Sequence, residues 1–179
     1  YLKEVIARYP DTIFEKESYE KLGRLAMDDG RYDEAKETYN KSLTSEKNSR
    51  NCHIHVQIGE CYEKQGRIEE AEREYLKAAY LFPDVPYWPV NAQLNVARLL
   101  EGQNKWDEAK KVYEKLSSLD RDEGRYAKER LEWIRENIRK ARRLAMHFKI
   151  KLPREARKRF CGKCNNFFNS RNRKIRIRG

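Results

Sequence analysis

The chain has 179 residues, 39% of them charged, with a formal net charge of +11. No run approaches the roughly 18–20 consecutive apolar residues of a membrane-spanning helix, and so polar a composition suits thin elements with much surface better than one large core. The charge is segregated: from residue 139 on there are 16 Lys/Arg against Glu155 alone, leaving 24 basic and 28 acidic residues before it, so the positive field belongs to the last quarter.

In chain order, "YLKEVIARYPDT" reads as the second helix of a helical hairpin closed by Pro10, a half unit over residues 1–15. Three stretches then align with one another: "LGRLAMDDGRYDEAKETYNKSL", "IGECYEKQGRIEEAEREYLKAA" and "VARLLEGQNKWDEAKKVYEKLS". Small residues recur at Gly23, Gly59 and Ala97, and again at Ala35, Ala71 and Ala109, where two helices crossing closely have no space for bulk. Gly30, Gly66 and Asn104 stand where the chain reverses and tolerate a positive φ. Tyr39, Tyr75 and Tyr113 lie one turn beyond each alanine and are expected to fill the space toward the next unit. The alanines are 36 and 38 residues apart, with the surplus in "TSEKNSRN" and the proline-rich "FPDVPYWP". The units predicted are 16–51, 52–89 and 90–123.

These residues resemble the tetratricopeptide repeat, a helix-turn-helix unit of about 34 residues. The resemblance implies an all-α solenoid of helical hairpins whose first helices line a concave surface that holds a peptide or partner protein. By repeat position that groove takes Glu17, Glu20, Arg24 and Asp28, then His53, Val56, Glu60 and Glu63, then Asn91, Leu94, Arg98 and Glu101. Six acids against two arginines make it negative, suited to a basic or apolar peptide.

Cys52 and Cys61, nine residues apart on one predicted helix, read as semi-buried thiols rather than a disulfide, which fits a reducing, cytoplasmic setting. Beyond the repeats, Ala127, Leu131, Ile134, Ile138, Ala141, Ala145 and Phe148 recur at alternating four and three spacing, one apolar stripe on a long helix over residues 124–152 whose first half is expected to cap the last repeat. Its second half carries Arg139, Lys140, Arg142 and Arg143 on the opposite face.

Residues 153–179 form a third, basic segment. Lys174, Arg176 and Arg178 alternate with Ile175 and Ile177 as on a strand, while Phe167, Phe168 and neighbouring asparagines add stacking and hydrogen-bonding groups of the kind that hold single-stranded RNA. "ARRLAMHFKIKLPREARKRFCGKCNNFFNSRNRKIRIRG" is similar to the zinc-ribbon protein subunit of archaeal and eukaryotic ribonuclease P. That likeness implies a non-catalytic RNA-binding subunit of a tRNA-processing ribonucleoprotein, with a second protein subunit packed on the long helix, an incomplete zinc-ribbon β element, and Cys161 and Cys164 as half of a Zn²⁺ site. Three readings of the pair stay open: a second pair beyond Gly179, thiols without a metal, or a site completed by a partner. The RNA-binding candidates are Arg142, Arg143, Lys149, Lys151, Arg154, Arg157, Lys158, Arg159, Lys163, Arg171, Arg173, Lys174, Arg176 and Arg178.

No Ser-His-Asp set, phosphate-cradling glycine loop or histidine constellation is present, so the chain reads as a non-enzyme. Two functions follow: an RNA-binding protein whose repeats are a protein-interaction scaffold, or a tetratricopeptide adaptor on which the basic tail is incidental.

Overall fold

The computed structural model describes residues 1–148, all of its regular structure helical. Among the described residues eight helices follow one another: α1 Leu2–Arg8, α2 Ile13–Asp28, α3 Tyr32–Ser42, α4 Ser49–Lys64, α5 Ile68–Tyr80, α6 Trp88–Gly102, α7 Trp106–Leu116 and α8 Asp122–His147. The chain divides into two units after Ala127. The zinc-ribbon-like element, the alternating strand and the last residues of the predicted 124–152 helix lie outside the described residues.

In the first unit α2 packs on α3, α4 on α5 and α6 on α7, and each hairpin packs on the next through α3 with α4 and α5 with α6. The small residues set these crossings. Ala35, Ala71, Ala97 and Ala109 have no exposed surface, and Tyr39, Tyr75 and Tyr113 none either. A Cβ built on Gly23 would stand 2.8 Å from the Tyr39 ring. The tyrosines therefore seal their own hairpins as well as the step to the next, Tyr39 sharing a cluster with Ile54, Ile58 and Cys61 of α4.

Turn chemistry follows the aligned residues. Gly30, Gly66 and Asn104 have φ of 76°, 74° and 60°, and past each of them an amide reaches back five residues: Arg31 N to Ala26 O at 2.8 Å, Arg67 N to Tyr62 O at 2.9 Å, Lys105 N to Leu100 O at 2.8 Å. This is the 6→1 bond that closes a helix through a left-handed residue. Thr12 and Asn48 cap α2 and α4, their side chains accepting from Glu15 N and Asn51 N.

Two boundaries differ from the sequence reading. Helix α4 begins at Ser49, so "TSEKNSRN" gives up its end to the helix, and buried Asn51 stitches what remains: its Nδ2 donates to Thr44 O and Glu46 O while its Oδ1 accepts from Thr44 N. Trp88 and Pro89, expected in the loop, open α6 with proline in the first turn, where its missing N–H is harmless.

Along α8, Ala127, Leu131, Ile134 and Ala145 are buried, but Ala141 is exposed and Phe148 is 64% exposed, so the expected continuous stripe breaks in the helix's last turns. Among the described residues no helix is long and apolar enough to cross a membrane.

Candidate functional site

The first helices of consecutive hairpins enclose a hollow of about 560 Å³. Helix α2 contributes Glu17, Glu20, Lys21 and Arg24, whose spacing of three, one and three places them on one face. Ser49, Arg50, His53 and Gln57 come from α4, and Trp88 from the first residue of α6.

Its floor is an aromatic stack. The His53 ring lies on the Trp88 indole with centroids 3.9 Å apart and planes 22° from parallel, and Tyr87 meets Trp88 edge-on at 4.9 Å. Burial pushes the His53 imidazole below its ordinary pKa, Glu20 opposes that and Arg24 adds to it. Beside the stack, Arg50 Nε donates to Glu20 Oε2 at 2.7 Å, joining α4 to α2.

A second pair repeats this arrangement one hairpin on. Arg98 of α6 donates to both oxygens of Glu63 on α4, at 3.1 and 2.9 Å, and the Tyr75 hydroxyl donates to the same carboxylate at 2.8 Å. Burial pushes the neighbouring Glu60 carboxyl above the usual carboxylate range, Arg98 opposing and Glu63 adding to it.

This geometry corrects the picture of a uniformly negative groove. Glu20 and Glu63 are tied as cross-links between adjacent hairpins. Lys21 and Arg50 bring two further cations to the hollow, whose lining holds Glu17 and Glu20 against Lys21, Arg24 and Arg50. Val56 is not a groove residue: it is 1% exposed and points into the core. Glu60, Asn91, Leu94 and Glu101 are half-buried and Arg98 and Asp28 exposed, farther along the first helices and not in the hollow's lining.

Missed in the sequence were Lys21, Ser49, Arg50, Gln57 and Trp88. Ser49, Arg50 and Trp88 fall in the two segments that the sequence predicts as loops; their position at helix starts is the available signal, with Asn48 as cap and Pro89 at the first turn.

The two described cysteines are interior rather than semi-buried. Cys52 and Cys61 have no exposed surface, Cys52 Sγ donates to Ala78 O at 3.3 Å, and burial pushes both thiols up to about 11. Such thiols are unreactive. Of the RNA-binding candidates, Arg143 is exposed and Arg142 half-buried on α8. Those from Lys149 to Arg178, and the metal candidates Cys161 and Cys164, lie outside the described residues.

Two-helix units stacked so that their first helices line a charged hollow define a repeat scaffold of the helical-hairpin class. Residues 16–49 and 49–122 match the tetratricopeptide repeat. Over residues 16–122 the chain therefore belongs to the tetratricopeptide repeat family, whose arrays are protein-interaction scaffolds. Among solved structures, the crystal structure of BtubC (BKLC) from P. vanneervenii is similar, with a TM-score of 0.59 and 16% identity over 85% of this chain and 72% of that one. At that identity the likeness speaks to fold alone. No curated protein matches the chain significantly.

Proposed function

We propose that this protein is a non-catalytic adaptor that holds an extended segment of a partner protein in the hollow between α2, α4 and α6. The observation that carries this reading is the construction of the hollow: an exposed polar rim of Glu17, Lys21 and Arg24 around a fixed His53–Trp88 floor, held by the Arg50–Glu20 cross-link. An aromatic floor supplies apolar area at low entropic cost, and fixed polar groups around it give orientation. Peptides selected from a random library against the full chain should bind at least tenfold more weakly to Trp88→Ala. Selected peptides indifferent to that substitution would place the binding surface elsewhere.

The charge segregation supports a second reading for the other end of the chain. Sixteen Lys/Arg against one acid from residue 139 on, together with the resemblance to the ribonuclease P subunit, favour RNA binding there, with Cys161 and Cys164 holding Zn²⁺ alongside further ligands. RNA binding that weakens steeply with salt and vanishes in a chain ending at residue 138 is the expected result. Binding retained by that shortened chain removes the reading.

A further inference from the structure

Among the groups lining the hollow, one titrates near neutral pH: His53. Its surroundings are unequal. One face of the ring rests on Trp88 with centroids 3.9 Å apart. Its Nδ1 stands 3.8 Å from Glu20 Oε1, beyond hydrogen-bond length, while the other oxygen of that carboxylate already accepts from Arg50 Nε at 2.7 Å. The charged groups lining the hollow around it are Glu17, Glu20, Lys21 and Arg24 from α2 and Arg50 from its own helix; the α6 contribution is the uncharged indole. His55 does not share this role, because it turns toward α5, where its Nδ1 meets Glu74 Oε2 at 2.8 Å.

We propose that His53 is a proton-operated latch on the hollow: neutral, it lies flat on Trp88; protonated, it adds a positive charge beside Lys21 and Arg24, so that an acidic partner segment is held more tightly as pH falls. The inference rests on the scaffold reading above and adds the charge of the ligand and the control of its binding.

The sign of the ligand comes from which charges are already engaged. Glu20 and Arg50 neutralise one another. Lys21 and Arg24 are exposed, and among the described residues neither has an ionic partner; the one other acid in the lining is Glu17. The formal charge of the lining is thus one positive with neutral imidazole and two with imidazolium. Glu20 cannot absorb the new charge fully, since it is bound to Arg50 and 3.8 Å away. A ligand carboxylate entering between Lys21, Arg24 and His53 meets that added charge directly, and a basic segment meets three cations with little to offset them.

Burial keeps the imidazole neutral at rest, with Glu20 opposing and Arg24 adding to the effect, so the latch is set in the neutral form and changes below the ordinary histidine range near 6.5. One added unit charge at a partly exposed site changes affinity for a carboxylate by about three- to tenfold. Linkage is reciprocal: a ligand that prefers the protonated form raises the midpoint of His53 by the corresponding half to one pH unit, approximately.

The test uses the full chain at constant salt and two fluorescent octapeptides with the same apolar residues, one carrying three Glu and the other three Gln in their place. Anisotropy at pH 7.5 and 5.5 should show the Glu peptide binding about three- to tenfold tighter at the lower pH and the Gln peptide unchanged. His53→Gln should abolish the ratio. The basic run after residue 139 attracts the Glu peptide in every variant, so the quantity read is the difference between wild type and His53→Gln. A proton NMR titration of the wild type gives a reading independent of that variant's folding: the His53 ring resonance should move with a midpoint below 6.5, and saturating Glu peptide should raise that midpoint. Equal pH ratios in wild type and His53→Gln, or a midpoint unmoved by the Glu peptide, overturn the latch. Binding that Trp88→Ala abolishes yet pH leaves unchanged sinks the latch and spares the groove. Binding of both peptides untouched by Trp88→Ala at either pH removes both.

Discussion

Gly59 lies directly beneath the ring of Tyr75: a Cβ at that position would stand 2.6 Å from Tyr75 Cε1 and 2.8 Å from Cδ1. The ring has nowhere to go, since it is wholly buried and its hydroxyl is held by Glu63. Gly59→Ala should therefore destabilise the chain by about 1–3 kcal/mol through overpacking, although alanine is the better helix former. Gly102, at the end of α6 with nothing within 4 Å of its would-be Cβ, is the control. Gly102→Ala should be neutral or slightly stabilising in the same urea titrations.

The Glu63–Arg98 pair joins adjacent hairpins in a half-exposed setting, with side chains 28% and 52% exposed. Solvent weakens it accordingly. A double-mutant cycle of Glu63→Gln with Arg98→Gln should give a coupling of about 0.3–1 kcal/mol that shrinks in molar salt. A coupling of zero would mean that packing alone joins the two hairpins.

Asn51 offers a larger effect. It is 2% exposed and is the organising residue of the loop before α4. Asn51→Ala should cost about 1–3 kcal/mol, because the carbonyls of Thr44 and Glu46 lose the donor that the buried side chain supplies. Asn51→Asp should fare no better, since it turns a carboxylate toward those same oxygens. Chemical denaturation of the three chains settles the order.

Acid should weaken the array through two groups. Burial disfavours the charged form of Glu74, but hydrogen bonds from His55 and Lys77 outweigh it and hold the carboxyl below its ordinary value of 4.5. A depressed carboxylate stabilises above the unfolded pKa, and that contribution is lost as pH falls through the folded one. The stability advantage of wild type over Glu74→Gln should thus shrink below pH about 4.5. His53 acts at higher pH: its folded pKa lies below 6.5, so the unfolded chain takes up protons first and stability declines as pH falls through the interval between the two values. Urea midpoints of wild type and His53→Gln between pH 7.5 and 5 should diverge in that direction.

How much of this was legible in sequence depends on how local the physics was. Gly23, Ala35 and Tyr39, and their counterparts one and two units on, announced the hairpins because close crossings demand small residues at fixed spacing. Gly30, Gly66 and Asn104 announced the turns because their left-handed φ excludes most other residues. The groove was legible in outline only. Glu17, Glu20, Arg24 and His53 do meet in one hollow, but its charge depends on pairings 30 and 35 residues apart, Glu20 with Arg50 and Glu63 with Arg98, which a count of acids and bases does not reveal. Val56 was misplaced because a helix of the array is buried on more than one side, so an apolar residue at a groove register turns inward instead. Ser49, Arg50 and Trp88 were lost to loops because asparagine caps and first-turn prolines look alike in loops and at helix starts.

A partner's segment seated in the hollow between α2, α4 and α6 should be captured there by site-specific photo-crosslinking in cells. With a benzophenone amino acid in place of Gln57 in the hollow, or of exposed Arg73 on α5, the Gln57 position should give a discrete protein adduct that Trp88→Ala combined with Arg24→Glu removes, and the Arg73 position should not. Equal adducts from both positions, or a Gln57 adduct indifferent to the loss of Trp88 and Arg24, would mean that the partner does not occupy the hollow.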